Sequence, residues 1–385
     1  SRGLGDVYKR QILLLGSLII LVLGFKELGG WDEMMRVCGA VTVNDYGDTM
    51  TNLIRSNDDA NFPWLGALIG SAIIGFWYWC TDQFIVQRVL SGKNEKEARR
   101  GTIFGAYLKL LPVFLFLIPG MIAFALHQKY IGAGGEGFLP MLANGTANAD
   151  AAFPTLVAKL LPAGVKGLVV CGILAALMSS LASLFNSSAM LFTIDFYKRF
   201  RPETPEKKLV GIGQVATVVI VILGILWIPI MRSVGDVLYT YLQDVQSVLA
   251  PGIAAAFLLG VCWKRTSAQG GMWGLISGMV IGLTRLGAKV YYSNAGEVAD
   301  STFKYLFYDM NWLFFCGWMF LFCMIVVIVV SLTTKAPTAE KIQGLVFGTA
   351  TKEQKAATRV SWDHWDIIHT VIILSITAAF YWYFW

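Results

Sequence analysis

Aromatic and hydrogen-bonding residues stand together inside one apolar segment of the chain. Residues 75–83 read Gly-Phe-Trp-Tyr-Trp-Cys-Thr-Asp-Gln. Aromatic faces beside polar groups can stack on a sugar ring or close over it, and a nearby glycine lets a helix unwind and expose backbone polar groups. The alternative is an interfacial belt, in which Tyr78 and Trp79 lie at a membrane surface and Asp82 lies near the headgroups. The residues alone leave both interpretations open.

Two further polar side chains lie in apolar surroundings. Lys109 is roughly 12 Å inside its predicted helix at 1.5 Å per residue. It can snorkel to the membrane surface or donate hydrogen bonds to a substrate hydroxyl. Gln243 carries an amide that both donates and accepts, which suits a hydroxylated substrate and equally suits a satisfied packing residue. Arg285 and Lys289, near the end of a later apolar run, are predicted to snorkel.

Small residues and hydroxyls alternate in the segment 175–188. Ser179 and Ser180 follow Ala176 by three and four residues, so on a helix both share a face with its carbonyl. Two hydroxyls and a carbonyl are the oxygen ligands that hard cations such as sodium prefer, and further oxygens from another helix would complete the site. The alternative is close helix packing through small residues, with the hydroxyls bonded back to their own helix.

No enzymatic motif accompanies these residues. The sequence contains no nucleotide-binding loop, no HExxH and no GxSxG, and His127, His364 and His369 flank apolar runs instead of clustering. The six cysteines show no CxxC pair and are predicted to act as small buried hydrophobes. The sequence therefore predicts a protein that is not an enzyme.

The composition indicates a membrane protein. Of the 385 residues, 56% are hydrophobic and only 15% are charged, against about a quarter charged in soluble domains. Disordered, collagen-like and nucleic-acid-binding classes are thereby excluded. Nine uncharged runs approach or exceed the length of a bilayer span, and they are apolar all round instead of alternating, which predicts helices and not a barrel. They are residues 12–25, 64–81, 110–126, 167–194, 209–231, 245–263, 266–284, 311–334 and 367–385.

Basic residues indicate the orientation. The loops after the second, fourth, sixth and eighth runs hold most of the lysines and arginines, including Arg99, Arg100, Lys198 and Arg199. Positive charge is retained on the cytoplasmic side, so the sequence predicts an integral protein of the cytoplasmic (plasma) membrane. Residues 1–11 do not match the apolar run that follows, and we interpret them as a non-native or juxtamembrane segment.

Four stretches resemble the sodium/solute symporter family, most closely its sodium/glucose cotransporter branch. They are residues 77–88, 107–112 with 119–121, 176–187, and 262–265 with 274–278. The resemblance covers nearly everything from residue 12 onward.

The resemblance implies a LeuT-type fold, which is all-α and has two inverted five-helix repeats with extra helices. Residues 12–31 resemble the last helix of the first repeat, 64–263 the whole second repeat, and 264–385 peripheral transmembrane helices. The first helices of the first repeat are then expected to be missing.

The resemblance also implies site residues. The Ala176 carbonyl, Ser179 and Ser180 match one half of a sodium site. Ala182 stands where some relatives have a threonine at a proposed second sodium site, which favours one sodium per substrate.

For the sugar, Lys109 and Gln243 match contact residues, Tyr78 matches an aromatic gate beneath the ring, and Trp79 lines the same region. Gly75 stands where relatives have a polar side chain near the sugar, so one contact is expected to be absent.

The expected function is sodium-coupled symport of a glucose- or galactose-like sugar by alternating access. The alternative within the family is symport of inositol, an amino acid or a carboxylate, and an alternative of another class is a channel or a transporter-derived sensor. The expected partners are the sugar, the co-transported sodium ion and the lipid bilayer, with no nucleic acid and no obligatory protein partner.

Overall fold

The computed structural model of the chain describes residues 2–142, 145–234, 237–295 and 299–384, and no β-strand occurs among them. The first nine α-helices are α1 (Arg2–Leu28), α2 (Trp31–Gly39), α3 (Trp64–Cys80), α4 (Gln83–Leu90), α5 (Glu95–Pro112), α6 (Ile118–Gly132), α7 (Ala152–Leu160), α8 (Ala163–Met190) and α9 (Lys198–Phe200). The others are α10 (Glu206–Val234), α11 (Leu238–Cys262), α12 (Ala268–Asn294), α13 (Thr302–Lys304), α14 (Trp312–Thr333), α15 (Ala339–Ile342), α16 (Lys352–Ser361) and α17 (His364–Tyr383). Shorter π-helical segments cover Val113–Leu117, Leu191–Tyr197 and Tyr305–Asp309, and a 3₁₀ turn covers Ala149–Ala151.

All nine predicted runs fall on helices, which confirms the all-α membrane class. Among the described residues, seven helical stretches are long and apolar enough to span a bilayer, and α3 with α4 forms an eighth if this bent pair is one span. All but the first two residues of the predicted run 266–284 lie in α12, whose glycines and Arg285 lower its mean hydropathy. The seven stretches are Gln11–Leu28, Glu95–Gly132, Ala163–Phe200, Glu206–Pro229, Leu238–Cys262, Trp312–Thr333 and His364–Tyr383.

Packing divides the chain into two compact units. Unit 1 takes residues 1–53 and 104–227 with Phe384, and unit 2 takes residues 54–103 and 228–383 with Trp385. The division falls inside α5 and α10, so both units draw on the segment that the resemblance assigns to the second repeat.

The assignment of 12–31, 64–263 and 264–385 concerns repeats that are related by symmetry, whereas the two units are defined by packing. The units therefore do not test the repeat assignment, which stays a prediction. The interpretation of residues 1–11 also stays a prediction, and in the structure the backbone of α1 begins at Arg2. Ser1 and Trp385 lie outside the described residues.

Unit 1 is built around α1, which packs against α6 and α8. A Cβ on Gly24 of α1 would lie 2.9 Å from Cγ2 of Ile122 in α6, so the glycine allows this close approach. After Leu28 the chain leaves the helix at Gly29, whose φ of +113° favours glycine. The Lys129 ammonium donates to the Leu28 carbonyl at 3.1 Å, which satisfies one of the carbonyls left open at the helix end.

Unit 2 contains a glycine stripe along α12. Gly270, Gly274, Gly278 and Gly282 recur every four residues, so they share one helix face. That face packs against α11 and α14, and a Cβ on Gly278 would lie 2.9 Å from the Cα of Gly252 in α11. Small residues at this spacing let membrane helices gain van der Waals contact by direct backbone approach.

The turn between α11 and α12 is held by the 262–265 motif and the residues after it. The Arg265 guanidinium donates to the carbonyl of Thr334 at 2.8 Å, just beyond the end of α14. The Ser267 amide donates to the Ser331 hydroxyl at 3.1 Å, and the Ser267 hydroxyl accepts from the Gly270 amide at 3.0 Å. The motif 262–265, one of those that carry the resemblance, therefore helps to hold the turn between α11 and α12 against the end of α14.

The cysteines are divided evenly between interior and surface. Cys38, Cys316 and Cys323 are buried, as predicted, whereas the prediction was wrong for the other three. An apolar helix surface in a membrane protein faces lipid, so an apolar residue type does not by itself indicate burial. Burial raises the pKa of the Cys38 thiol to about 11. The exposed cysteines are Cys80, Cys171 and Cys262.

Candidate functional site

A broken helix carries the aromatic residues of the sequence motif. α3 and α4 form one apolar stretch that is bent by 50° between Cys80 and Gln83. The Thr81 hydroxyl donates to the Trp77 carbonyl at 2.7 Å, and the Asp82 carboxylate accepts from the amide of Phe84 at 2.8 Å. Asp82 therefore caps α4, which is a local structural role. Breaks of this kind expose helix ends to substrates in membrane transporters.

Tyr78 and Trp79 lie within one turn of the break. Their rings meet edge to face with centroids 5.4 Å apart. Tyr78 is half-buried, whereas Trp79 is 44% exposed. A largely accessible aromatic side chain therefore lies next to a partly buried one. The structure thus brings these two predicted residues together in unit 2, and their contact with a sugar stays a prediction.

Gly75 lies one turn before Trp79 and has open space around it. A Cβ at this position would meet no described atom within 4 Å, leaving aside its own helix backbone. The glycine is therefore not required for packing. It leaves a gap on the helix that carries the aromatic pair, where the resemblance places a polar contact in relatives.

We expect the variant Gly75→Thr to strengthen sugar binding. The space accepts the larger side chain, and one new hydrogen bond contributes about 0.5–1.5 kcal/mol, so the sugar concentration for half-maximal uptake should fall by roughly threefold or more. Gly75→Val is the matched control, because valine has the same shape without the hydroxyl. An equal shift in both variants would assign the effect to helix stiffening instead of a hydrogen bond.

Lys109 lies near the end of α5, in unit 1. Its side chain is exposed, and the π-helical segment Val113–Leu117 begins four residues later. Segments of π-helix are rare and frequently occur at functional sites, because they shift the direction of the following side chains. The sugar-contacting role of Lys109 stays a prediction.

Gln243 is half-buried in the second turn of α11, in unit 2. α11 packs on α3, and Phe257 contacts Phe76 with ring centroids 5.9 Å apart. Phe257 follows Gln243 by 14 residues (257 − 243), which corresponds to roughly 20 Å along a helix axis. The structure therefore places Gln243 well before the level of the Tyr78–Trp79 pair and not beside it.

The sodium candidates lie on α8, in unit 1. Ala176, Ser179 and Ser180 fall within one continuous helix, so the shared face predicted from their spacing is present. The Ser180 hydroxyl is exposed, and among the described residues it makes no hydrogen bond. One bond back to the helix, of the kind that the alternative interpretation expects, is made by Ser183, which donates to the Ser179 carbonyl at 3.1 Å. The ligand roles stay predictions.

A buried charge cluster beside Gln243 was missed by the sequence analysis. Arg285 was predicted to snorkel, and this is wrong, because its side chain is 0% exposed and lies 3.3 Å from the Asp244 carboxylate. Lys289, one turn later on α12, lies 2.6 Å from the other oxygen of the same carboxylate. The available signal was Asp244 itself, which directly precedes the apolar run 245–263, since a carboxylate at the membrane needs a cationic partner.

Comparison with known proteins places these features in context. The model of the sodium:solute symporter family matches residues 3–278. The sodium/mannose cotransporter of Bos taurus is 33% identical over 98% of this chain and 67% of its own length. The sodium/myo-inositol cotransporter 2 of Homo sapiens is 34% identical over 89% of this chain and 53% of its own length.

The sodium/glucose cotransporter 1 of Ovis aries is 36% identical over 86% of this chain and 52% of its own length. The chain therefore spans about half to two thirds of the length of these three relatives.

Proposed function

Because the chain belongs to the sodium:solute symporter family, we propose that it takes part in sodium-coupled symport of a glucose- or galactose-like sugar by alternating access. The observation that carries this proposal is the Tyr78–Trp79 pair at the break between α3 and α4. A broken membrane helix offers unpaired backbone groups, and the exposed face of Trp79 can stack on the apolar face of a sugar ring.

The polar residues favour a neutral polyol. Lys109 offers three donors and Gln243 offers both donors and an acceptor, so each can match a hydroxyl group. Gln243 lies toward the start of α11, whereas Tyr78 and Trp79 lie at the end of α3. Given the orientation predicted from the loop charges, Gln243 lies toward the outer side and the aromatic pair toward the inner side, roughly 20 Å apart along the helix axis. The sugar is therefore expected to contact Gln243 first and the aromatic pair later on its inward path.

Sodium is the driving solute in this proposal. The carbonyl of Ala176 and the hydroxyls of Ser179 and Ser180 supply hard oxygen ligands on one face of α8, and oxygens from another helix complete the site. Coupling arises because sodium stabilises the outward-open arrangement, to which the sugar binds better. The effect is reciprocal, so bound sugar raises the affinity for sodium by the same factor.

A second substrate class has specific support. The relatives include cotransporters named for mannose and for myo-inositol as well as for glucose. All three substrates are six-membered rings that carry hydroxyls, and the gap at Gly75 removes one contact that could discriminate between them. Mannose or myo-inositol is therefore the second candidate.

The test is uptake of radiolabelled sugars into proteoliposomes with and without an inward sodium gradient. Glucose, galactose, mannose and myo-inositol are compared, with the gene's complete product and the 385-residue chain in parallel. Uptake of glucose or galactose that requires sodium supports the proposal. Uptake of only mannose or myo-inositol moves the substrate to the second candidate, and no sodium-dependent uptake of any sugar overturns both.

We expect Lys109→Ala and Gln243→Ala each to raise the sugar concentration for half-maximal uptake by roughly tenfold. Hydrogen bonds that involve a charged group contribute about 1.5–3 kcal/mol and neutral ones about 1 kcal/mol, so Lys109→Ala should have the larger effect. Gln246→Ala is a matched control, since this glutamine lies on the same helix less than one turn further along. Unchanged sugar dependence in both site variants would remove these two residues from the proposed site.

A further inference from the structure

The cluster of Asp244, Arg285 and Lys289 in unit 2 contains more positive than negative charge. One carboxylate faces two cations, so its formal charge is −1 + 1 + 1 = +1. Arg285 is fully buried. An uncompensated charge in a buried place is energetically costly. Neighbouring groups must therefore stabilise the excess positive charge, or the charge must serve a function.

Uncharged groups of unit 2 supply that compensation to Arg285. Its guanidinium donates to the carbonyl of Met310 at 2.8 Å and to that of Leu306 at 3.4 Å. It also lies over the ring of Phe315 in α14, with 4.0 Å between Cζ and the ring centroid. Carbonyl dipoles and an aromatic face both attract a cation. Arg285 therefore connects α11, the turn before α14, and α14 itself.

The same turn is tied to the chain just before α3. Asn311 caps α14 by accepting from the Leu313 amide at 2.8 Å, and its side-chain amide donates to the Ala60 carbonyl at 2.7 Å. α3 begins at Trp64, shortly after that contact. Polar contacts of Arg285 and Asn311, joined by the chain between Met310 and Asn311, thus link Asp244 on α11 to Ala60, four residues before α3 begins.

We propose that Asp244, Arg285 and Lys289 form a clamp that positions Gln243 relative to the helix of the aromatic pair. Asp244 is the residue after Gln243, so holding its carboxylate from two sides fixes the rotation of α11 at this level. The three residues act through Gln243 and are positioning residues. The inference rests on the proposed function, since Gln243 matters only if it contacts the sugar.

If the three residues form a clamp, the position of α11 depends on the net charge of their side chains. Asp244→Asn leaves Arg285 and Lys289 facing each other with a formal charge of +2, so the start of α11 should rotate away. The double variant Asp244→Asn with Lys289→Met returns the formal charge to +1 while Arg285 keeps its carbonyl and aromatic contacts. The double variant should therefore have a lower half-saturating sugar concentration than the single variant Asp244→Asn.

The experiment measures sodium-driven uptake of glucose and of myo-inositol by the gene's complete product and these variants. We expect Asp244→Asn to raise the half-saturating sugar concentration by up to roughly tenfold, the value expected for Gln243→Ala, because a misplaced Gln243 loses at most the hydrogen bond that it makes. The double variant should recover at least half of the shift on a logarithmic scale. Asp300→Asn is the control, because it breaks an exposed ion pair with Lys304 in the same unit.

Each other outcome has a defined meaning. If Asp244→Asn lowers only the maximal rate and the amount of transporter, the cluster stabilises the fold and the positioning role is overturned. If the double variant is no better than the single, charge balance is not its basis and the clamp is overturned. If the unaltered protein shows sodium-driven uptake and Asp244→Asn matches it, only the clamp fails. If the unaltered protein takes up neither of these two, and neither galactose nor mannose, in a sodium-dependent way, the proposed function fails first.

Discussion

Replacing Gly278 by alanine is expected to lower the stability of the folded protein substantially. The added methyl would lie 2.9 Å from the Cα of Gly252, where backbone and not a flexible side chain blocks it. α11 and α12 must then separate, and overpacking of this kind costs about 1–3 kcal/mol. Loss of the close contact along the whole glycine stripe adds to that cost.

The measurement is the thermal melting midpoint of the purified protein in detergent, together with the fraction that elutes as a single species on size exclusion. Gly271→Ala is the matched control, because it lies on the same helix and its Cβ would meet no described atom within 4 Å. Alanine there should be neutral or slightly stabilising, since alanine favours helices over glycine. Equal melting midpoints for the two variants would show that the stripe does not limit packing.

Replacing Ser180 by alanine is expected to weaken sodium activation of transport. The Ser180 hydroxyl is exposed on α8 and makes no hydrogen bond with the described residues, so its removal should disturb the fold little. If it is a sodium ligand, the sodium concentration for half-maximal uptake should rise by roughly tenfold, as for the loss of one contact to a charged group. Through reciprocal coupling, the sugar dependence should also weaken when sodium is below saturation and recover when sodium is saturating.

Ser183→Ala provides the comparison for this variant. Its hydroxyl is already used, since it donates to the Ser179 carbonyl at 3.1 Å one turn earlier on the same helix. Alanine at that position removes a bond internal to the helix and no proposed ligand. Superimposable sodium activation curves for Ser180→Ala and the unaltered protein would end the assignment of Ser180 to the sodium site.

Much of the fold could be predicted from local sequence. Apolar segments in a bilayer must satisfy their backbone groups internally, and helices do this without help from other segments. All nine runs are helical for that reason. The spacing of Ala176, Ser179 and Ser180 likewise places all three on one helix face, because that geometry depends only on residues within two turns.

The candidate site could be predicted only as residue types. The aromatic pair is adjacent in sequence, so its contact followed, but the 50° break at Thr81 and Asp82 did not. A break forms where a side chain such as the Asp82 carboxylate caps a new helix. The same residues could also continue the first helix, and the sequence does not distinguish the two conformations. Gln243 shows the limit most clearly, because its distance from the aromatic pair depends on how two helices align along their lengths.

The sequence by itself determined the class of the protein, its membrane helices and the residue types available for sodium and sugar. Tertiary structure alone decided which charges are buried and which small residues touch. Arg285 was expected to reach the surface, yet it is fully buried because Asp244, two carbonyls and Phe315 converge on it from three other elements. The hydrophobic character of a segment can be recognised from neighbouring residues in the sequence. The groups that compensate a buried charge come from distant positions in the sequence and meet only in the folded structure.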